Sequence, residues 1–144
     1  MVEIANKTKR KVAPASLAKL CSWLEGKRRG EKWELSLVII GPRRMRRLNR
    51  EFRGLDRSTD ILTFPGPDFG KVKTGEIFLC PEEIAKDSKY SFIPEVSRRD
   101  RLAFILIHGW LHLLGYDDEQ EEDRLKMVRL GGKILAQAKK DGII

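Results

Sequence analysis

Cysteine is scarce: Cys21 and Cys80 are the only two in 144 residues, and they form no CxxC or close pair. That excludes a disulfide framework and a cysteine-built zinc ribbon, and it suits a reducing cytosol. Long apolar runs are also lacking. The greasiest stretch, Leu102 to Tyr116, is broken by two histidines and falls short of the roughly 20 residues that cross a bilayer. The opening residues, Met1 to Asn6, lack the basic flank and apolar stretch of a signal peptide, so the expected location is cytoplasmic, with no membrane partner. No repeat, low-complexity tract or long linker divides the chain. Its length suits one domain over residues 1–144, and 41% hydrophobic against 35% charged residues excludes a disordered chain.

What is present begins with charge. The chain carries a formal net charge of +8, unevenly spread: residues 1–57 hold 16 Lys and Arg against 6 Asp and Glu, whereas residues 58–144 hold 13 against 15. A basic first two fifths favours an anionic partner without naming it.

Hydrophobic periodicity sets the elements. Val2 to Ala5 reads as a short strand. Pro14, then Leu17, Leu20, Cys21 and Leu24 at helical spacing, reads as an amphipathic helix ending near Gly26, with Cys21 in the core. Trp33 to Ile40 alternates and then turns apolar, as in a strand that becomes covered on both faces, and Gly41-Pro42 ends it. From Pro42 to Arg53 a helical period places Met45, Leu48 and Phe52 on one stripe, with Arg43, Arg46, Arg47 and Arg50 opposite. Short strands follow at Ile61–Phe64 and Glu76–Cys80. A helix runs from Pro81 to about Tyr90, and a largely apolar, buried one from after Pro94 to about Gly115. A charged helix carrying Leu125, Val128 and Leu135 then spans Asp118 to Lys140, weakened at Gly131-Gly132. This order gives an α+β fold: a mixed four-stranded sheet packed with about five helices.

The only two histidines are His108 and His112, in His108-Gly109-Trp110-Leu111-His112-Leu113-Leu114-Gly115-Tyr116-Asp117-Asp118. Four residues apart on a helix, two imidazoles share one face and can converge on one metal ion. Gly115 lets the chain turn back in the left-handed conformation, so that Asp118 can supply an oxygen as third ligand and leave a fourth position for water. The competing readings are hydrogen-bonded core histidines, and a helix N-cap role for Asp117 or Asp118, which precede Gln120 and Glu121 by three residues. One aspartate can cap while the other ligates. The residue after the first histidine is Gly109, not the glutamate that serves as general base in HExxH peptidases, although the histidine spacing is similar to that of metzincins.

The segment from His108 to Asp117 resembles the signature of the bacterial YbeY family. Further matches are Leu48-Asn49 with Phe52-Arg53, then Thr59-Asp60-Ile61-Leu62-Thr63-Phe64-Pro65, and Gly75-Glu76-Ile77. The resemblance implies a zincin-like fold whose buried central helix carries the metal-ligand histidines. It also implies a zinc-dependent endoribonuclease specific for single-stranded RNA, acting in 16S rRNA 3′ end maturation and ribosome quality control. Single-stranded RNA, rRNA and the small ribosomal subunit are the implied partners; DNA is not expected. The family's usual third ligand is histidine, where this sequence has Asp118, a harder donor that zinc nonetheless accepts.

By its match to the family motif, Arg53 is the candidate catalytic residue, a guanidinium that stabilises charge on the nonbridging phosphate oxygens. Arg43, Arg46, Arg47, Arg50 and Arg57, with Arg44, are the candidate RNA-binding surface; seven arginines within 43–57 face only Glu51 and Asp56. Trp33, Phe69 and Tyr90 are candidates for base stacking, with packing as the default for each. Two alternatives stand beside the nuclease: a non-catalytic ribosome- or RNA-binding factor with a structural metal, and a metal-dependent peptidase.

Overall fold

A computed structural model describes residues 3–12, 14–86, 97 and 100–144. The elements run β1 (Glu3–Asn6), α1 (Pro14–Glu25), β2 (Lys32–Ile39), α2 (Pro42–Arg53), β3 (Ile61–Pro65), β4 (Val72–Leu79), α3 (Pro81–Lys86), α4 (Arg101–Leu113) and α5 (Glu121–Lys140). They build a four-stranded sheet in the order β1-β2-β4-β3. β2 pairs parallel with both β1 and β4, and β3 runs antiparallel to β4 at the edge. The expected first residue of the first strand, Val2, the end of the third helix at Tyr90 and the chain around Pro94 lie outside the described residues.

Alternation along the strands assigns the two faces of the sheet. Trp33, Leu35, Leu37 and Ile39 of β2 and Ile77 and Leu79 of β4 point into the main core, which they share with α1, α4 and α5. Ile40, Leu62 and Cys80 point the other way and meet Met45 of α2 in a smaller cluster. The apolar end of β2 is thus covered on both sides, as its sequence predicts.

α4 is buried almost all round, from Phe104 through Leu111, and crosses the sheet on small residues. A Cβ at Gly75 would stand 2.6 Å from a Leu113 methyl, and one at Gly109 would overlap the side chain of Ile61 and lie 3.1 Å from the Thr63 methyl. At the edge of this packing the Trp33 and Trp110 rings meet edge-on, with centroids 5.0 Å apart. Trp33 is therefore a core residue. Among the described residues, no helix is long and apolar enough to cross a membrane.

Three sequence expectations are corrected. β4 begins at Val72, not Glu76, because it pairs with β2 along the whole of Lys32–Ile39. Phe52 is not part of the buried stripe of α2: it is 62% exposed and rests edge-on against Phe64, while Asn49 takes the buried place beside Met45. Leu125 is exposed, and Met127, Val128, Leu135 and Ala138 bury α5 instead. α5 continues unbroken through Gly131-Gly132, and the ring of Phe104 lies 3.2 Å from where a Gly131 Cβ would be.

Candidate active site

The C-terminal end of α4 determines the site. His108 is buried and His112 half-buried, one turn apart, with ring centroids 4.7 Å from each other. Beyond them the helix closes in a Schellman arrangement: Gly115 N–H donates to the His112 carbonyl at 3.0 Å and Tyr116 N–H to the Leu111 carbonyl at 3.1 Å. This needs Gly115 at φ +102°, where a side chain would be strained. The reversal brings the Tyr116 carbonyl to the imidazole, where it accepts a hydrogen bond from His112 Nδ1 at 3.2 Å. With the proton on Nδ1, the lone pair of Nε2 is free to bind a cation.

The same reversal carries Asp118 back over the helix. Its Oδ2 lies 3.3 Å from His108 Nε2 and 3.4 Å from His112 Nε2. Tetrahedral zinc with bonds of about 2.0–2.1 Å separates neighbouring donors by about 3.3 Å, so these distances fit one ion. The three donors all lie within 4.8 Å of one another. The hydrogen bond from His108, aided by the charge of both imidazoles, holds the Asp118 carboxyl at a pKa of about 2. Burial, reinforced by neighbouring His108, lowers that of His112. At neutral pH the site therefore offers a carboxylate and a neutral His112, the protonation states that metal binding requires.

Neither aspartate caps α5, whose N-cap is Gln120 without a side-chain bond. Asp117 instead accepts the Glu119 N–H at 2.9 Å in a local turn. Both aspartates are thereby kept outside the helix and line the cleft.

The cluster opens into a cleft of about 390 Å³, bordered by β3 and by the segment that follows α2. Arg53, from the last turn of α2, and Arg57 line it together with His108, His112 and Asp118. Among the described residues no ion pair holds either guanidinium. Gly109, the position of the general base in HExxH peptidases, is pressed against Ile61 and Thr63, with no room for a glutamate side chain.

The other arginines of α2 are divided. Arg43, Arg44 and Arg47 are exposed. Arg46 is not free: it grips Asp56 with two bonds, Nε to Oδ1 at 2.9 Å and Nη2 to Oδ2 at 3.0 Å, while Arg50 approaches the same carboxylate at 3.5 Å. The pairing holds the Asp56 carboxyl below its ordinary range. Phe69 is exposed in the β3–β4 loop and does not line the cleft. Tyr90 lies outside the described residues.

Two residues escaped functional assignment from the sequence. Asn49, 1% exposed, donates from Nδ2 to the Arg57 carbonyl at 2.8 Å, and so ties the Arg57 loop to the helix that carries Arg53. Asp60 is a buried carboxylate on the cleft wall, and its carbonyl accepts the Cys80 N–H at 2.9 Å. Its sequence signal is an acidic residue standing directly before an apolar strand.

Residues 3–139 match the family model described as Endoribonuclease YbeY. A curated relative of that description from Chlorobium phaeovibrioides is 35% identical over 129 residues, covering 88% of this chain and 82% of its own. Another, from Chlorobaculum parvum, is 34% identical over 128 residues, covering 89% and 88%. The solution structure of TM1509 from Thermotoga maritima has a similar fold, with a TM-score of 0.59 over 99% of this chain and 93% of that one, at 23% identity.

Proposed function

This chain belongs to the endoribonuclease YbeY family, nucleases that act on RNA phosphodiester bonds, and on that premise we propose that it is a zinc-dependent endoribonuclease specific for single-stranded RNA. Its place is cytoplasmic, at the small ribosomal subunit, in 16S rRNA 3′ end maturation and ribosome quality control. One observation carries the reading: a three-donor His-His-Asp cluster and an arginine that forms no ion pair among the described residues share one cleft.

His108, His112 and Asp118 would hold the ion, with the His112 ring oriented by the Tyr116 carbonyl. When bound, zinc supplies Lewis acidity to a phosphate oxygen or to a water molecule. Arg53 donates paired N–H groups to the nonbridging oxygens, where negative charge builds up in the transition state. Arg57, anchored through Asn49, sits where it can hold the neighbouring phosphate. The exposed arginines Arg43 and Arg47 bind the RNA backbone outside the cleft; Arg46 and Arg50 do so less, since Asp56 already offsets their charge.

The open cleft favours catalysis over a purely structural metal, which a closed donor shell would serve. The packing at Gly109 speaks against the peptidase alternative. The test is a side-by-side assay on single-stranded RNA, duplex RNA and an unstructured protein, with metal removed and restored. Zinc-dependent cleavage of the single strand alone is expected; hydrolysis of the protein substrate, or indifference to metal, would contradict the proposal. Product ends identify the attacking oxygen, since 2′,3′-cyclic phosphates arise only from the RNA 2′-OH.

A further inference from the structure

The free edge of β3 carries an inference that rests on the nuclease reading and deepens it. β3 lies last in the sheet order, with β4 on one side and, among the described residues, no strand on the other. Its register pairs Leu62 with Phe78 and Phe64 with Glu76. The flanking bonds, from Cys80 N–H to the Asp60 carbonyl at 2.9 Å and from Gly66 N–H to the Thr74 carbonyl at 3.0 Å, fix the phase of the ladder. Hydrogen-bonded pairs alternate in an antiparallel ladder. Leu62 and Phe64 therefore spend their main-chain groups on β4, while the N–H and C=O of Ile61 and Thr63 point to the open side. Ile61 and Thr63 line the same cleft as His108 and Arg53.

We propose that this edge is a main-chain rail for the substrate, on which the N–H groups of Ile61 and Thr63 bind phosphate oxygens of successive nucleotides beside the scissile bond. Alternate residues of a strand repeat at about 6.6 Å, comparable to the spacing of phosphates in an extended single strand. Charge selects RNA over an extended peptide as the occupant, because Arg53 and Arg57 line the same cleft as the rail and, among the described residues, form no ion pair.

An edge N–H can be deleted without touching the ladder. Proline is tolerated where a strand's N–H faces outward, so Thr63→Pro removes one rail donor. Thr63→Val keeps that donor and the methyl that packs on Gly109. Both variants are to be compared with wild type as zinc-loaded proteins, for folding and for affinity toward a nuclease-resistant 2′-O-methyl phosphorothioate oligonucleotide. Thr63→Pro is expected to weaken binding about tenfold, as for loss of a charge-assisted hydrogen bond, and Thr63→Val to leave it within about twofold. Amide exchange on wild type gives a reading that needs no variant: the Ile61 and Thr63 amides should exchange freely alone and become protected by the oligonucleotide. Equal binding by both variants, or amides left unprotected in a saturated complex, overturns the rail while the nuclease reading stands. Protection by an extended peptide but not by RNA overturns it in favour of a peptide site. A wild-type protein inert toward RNA defeats both.

Discussion

His112 and Tyr116 are joined by a hydrogen bond from the imidazole Nδ1 to the main-chain carbonyl, 3.2 Å long, across the end of α4. The bond exists because Gly115, at φ +102°, turns the chain back on itself. Gly115→Ala should therefore do two things: destabilise the fold by about 1–2 kcal/mol, and weaken zinc binding about 10–100-fold by freeing the ring to rotate. Zinc titration and thermal unfolding of the same variant separate the two. Unchanged zinc affinity would show that the helix end does not orient the ligand.

Asp118 is the proposed third donor, at the position where the family resemblance implies a histidine. Asp118→Asn keeps the shape but loses the charge, and zinc affinity should fall at least about 100-fold, beyond the range seen for outer-shell changes. Asp118→His should retain the ion, provided an imidazole reaches the same point. Competition with a chromophoric chelator measures both, and an Asp118→Asn protein that holds zinc as tightly as wild type would remove Asp118 from the donor set.

Arg46 and Arg50 share the Asp56 carboxylate, which leaves Arg43, Arg44 and Arg47 as the exposed cations of the helix that form no ion pair among the described residues. Arg43→Ala and Arg47→Ala should each lower the salt dependence of RNA binding by about one unit of slope, and Arg46→Ala by less. Asp56→Ala should tighten RNA binding by releasing both partners. Binding isotherms at several salt concentrations provide the comparison; a weaker complex with Asp56→Ala would mean that the pair builds the RNA surface instead of masking it.

The pH response follows from two lowered pKa values. His112 lies below its ordinary value because burial disfavours the charged ring, and Asp118 sits at about 2. Both groups bind protons less readily folded than unfolded, so each contributes stability that is lost on acidification. The His112 contribution is complete above the unfolded imidazole value of about 6.5 and fades as pH drops through its lower folded value. That of Asp118 is complete above about 3.9 and fades toward 2. Urea unfolding of the metal-free protein should show stability declining in this order, and zinc should steepen the decline, since protons compete for the same donors. Stability that rises from pH 7 to pH 5 would reverse the assignment.

Much of this was legible in the chain because local chemistry decided it. The four-residue spacing of His108 and His112, the turn at Gly115 and the return of Asp118 all follow from helix geometry, and the structure brings them together as that geometry predicts. Element order was readable for the same reason, from periods of two and 3.6 residues. What escaped depended on partners distant in sequence. The start of β4 at Val72 is set by its parallel pairing with Lys32 of β2. Phe52 leaves the core because Phe64, across the sheet edge, offers it a ring on the surface. The pairing of Arg46 with Asp56 depends on the course of the loop after Gly54, and Asn49 fixes that course from inside the protein. No windowed pattern reports such contacts.

The central claim is that RNA cleavage depends on one divalent ion held by His108, His112 and Asp118. Zinc added stepwise to metal-free protein, with the rate of single-stranded RNA cleavage read at each step, tests it most directly. Cleavage should rise linearly to one equivalent, level off there, and stay absent in His108→Ala and His112→Ala. Full cleavage before any zinc is added, or undiminished cleavage by a double variant that binds none, would contradict it.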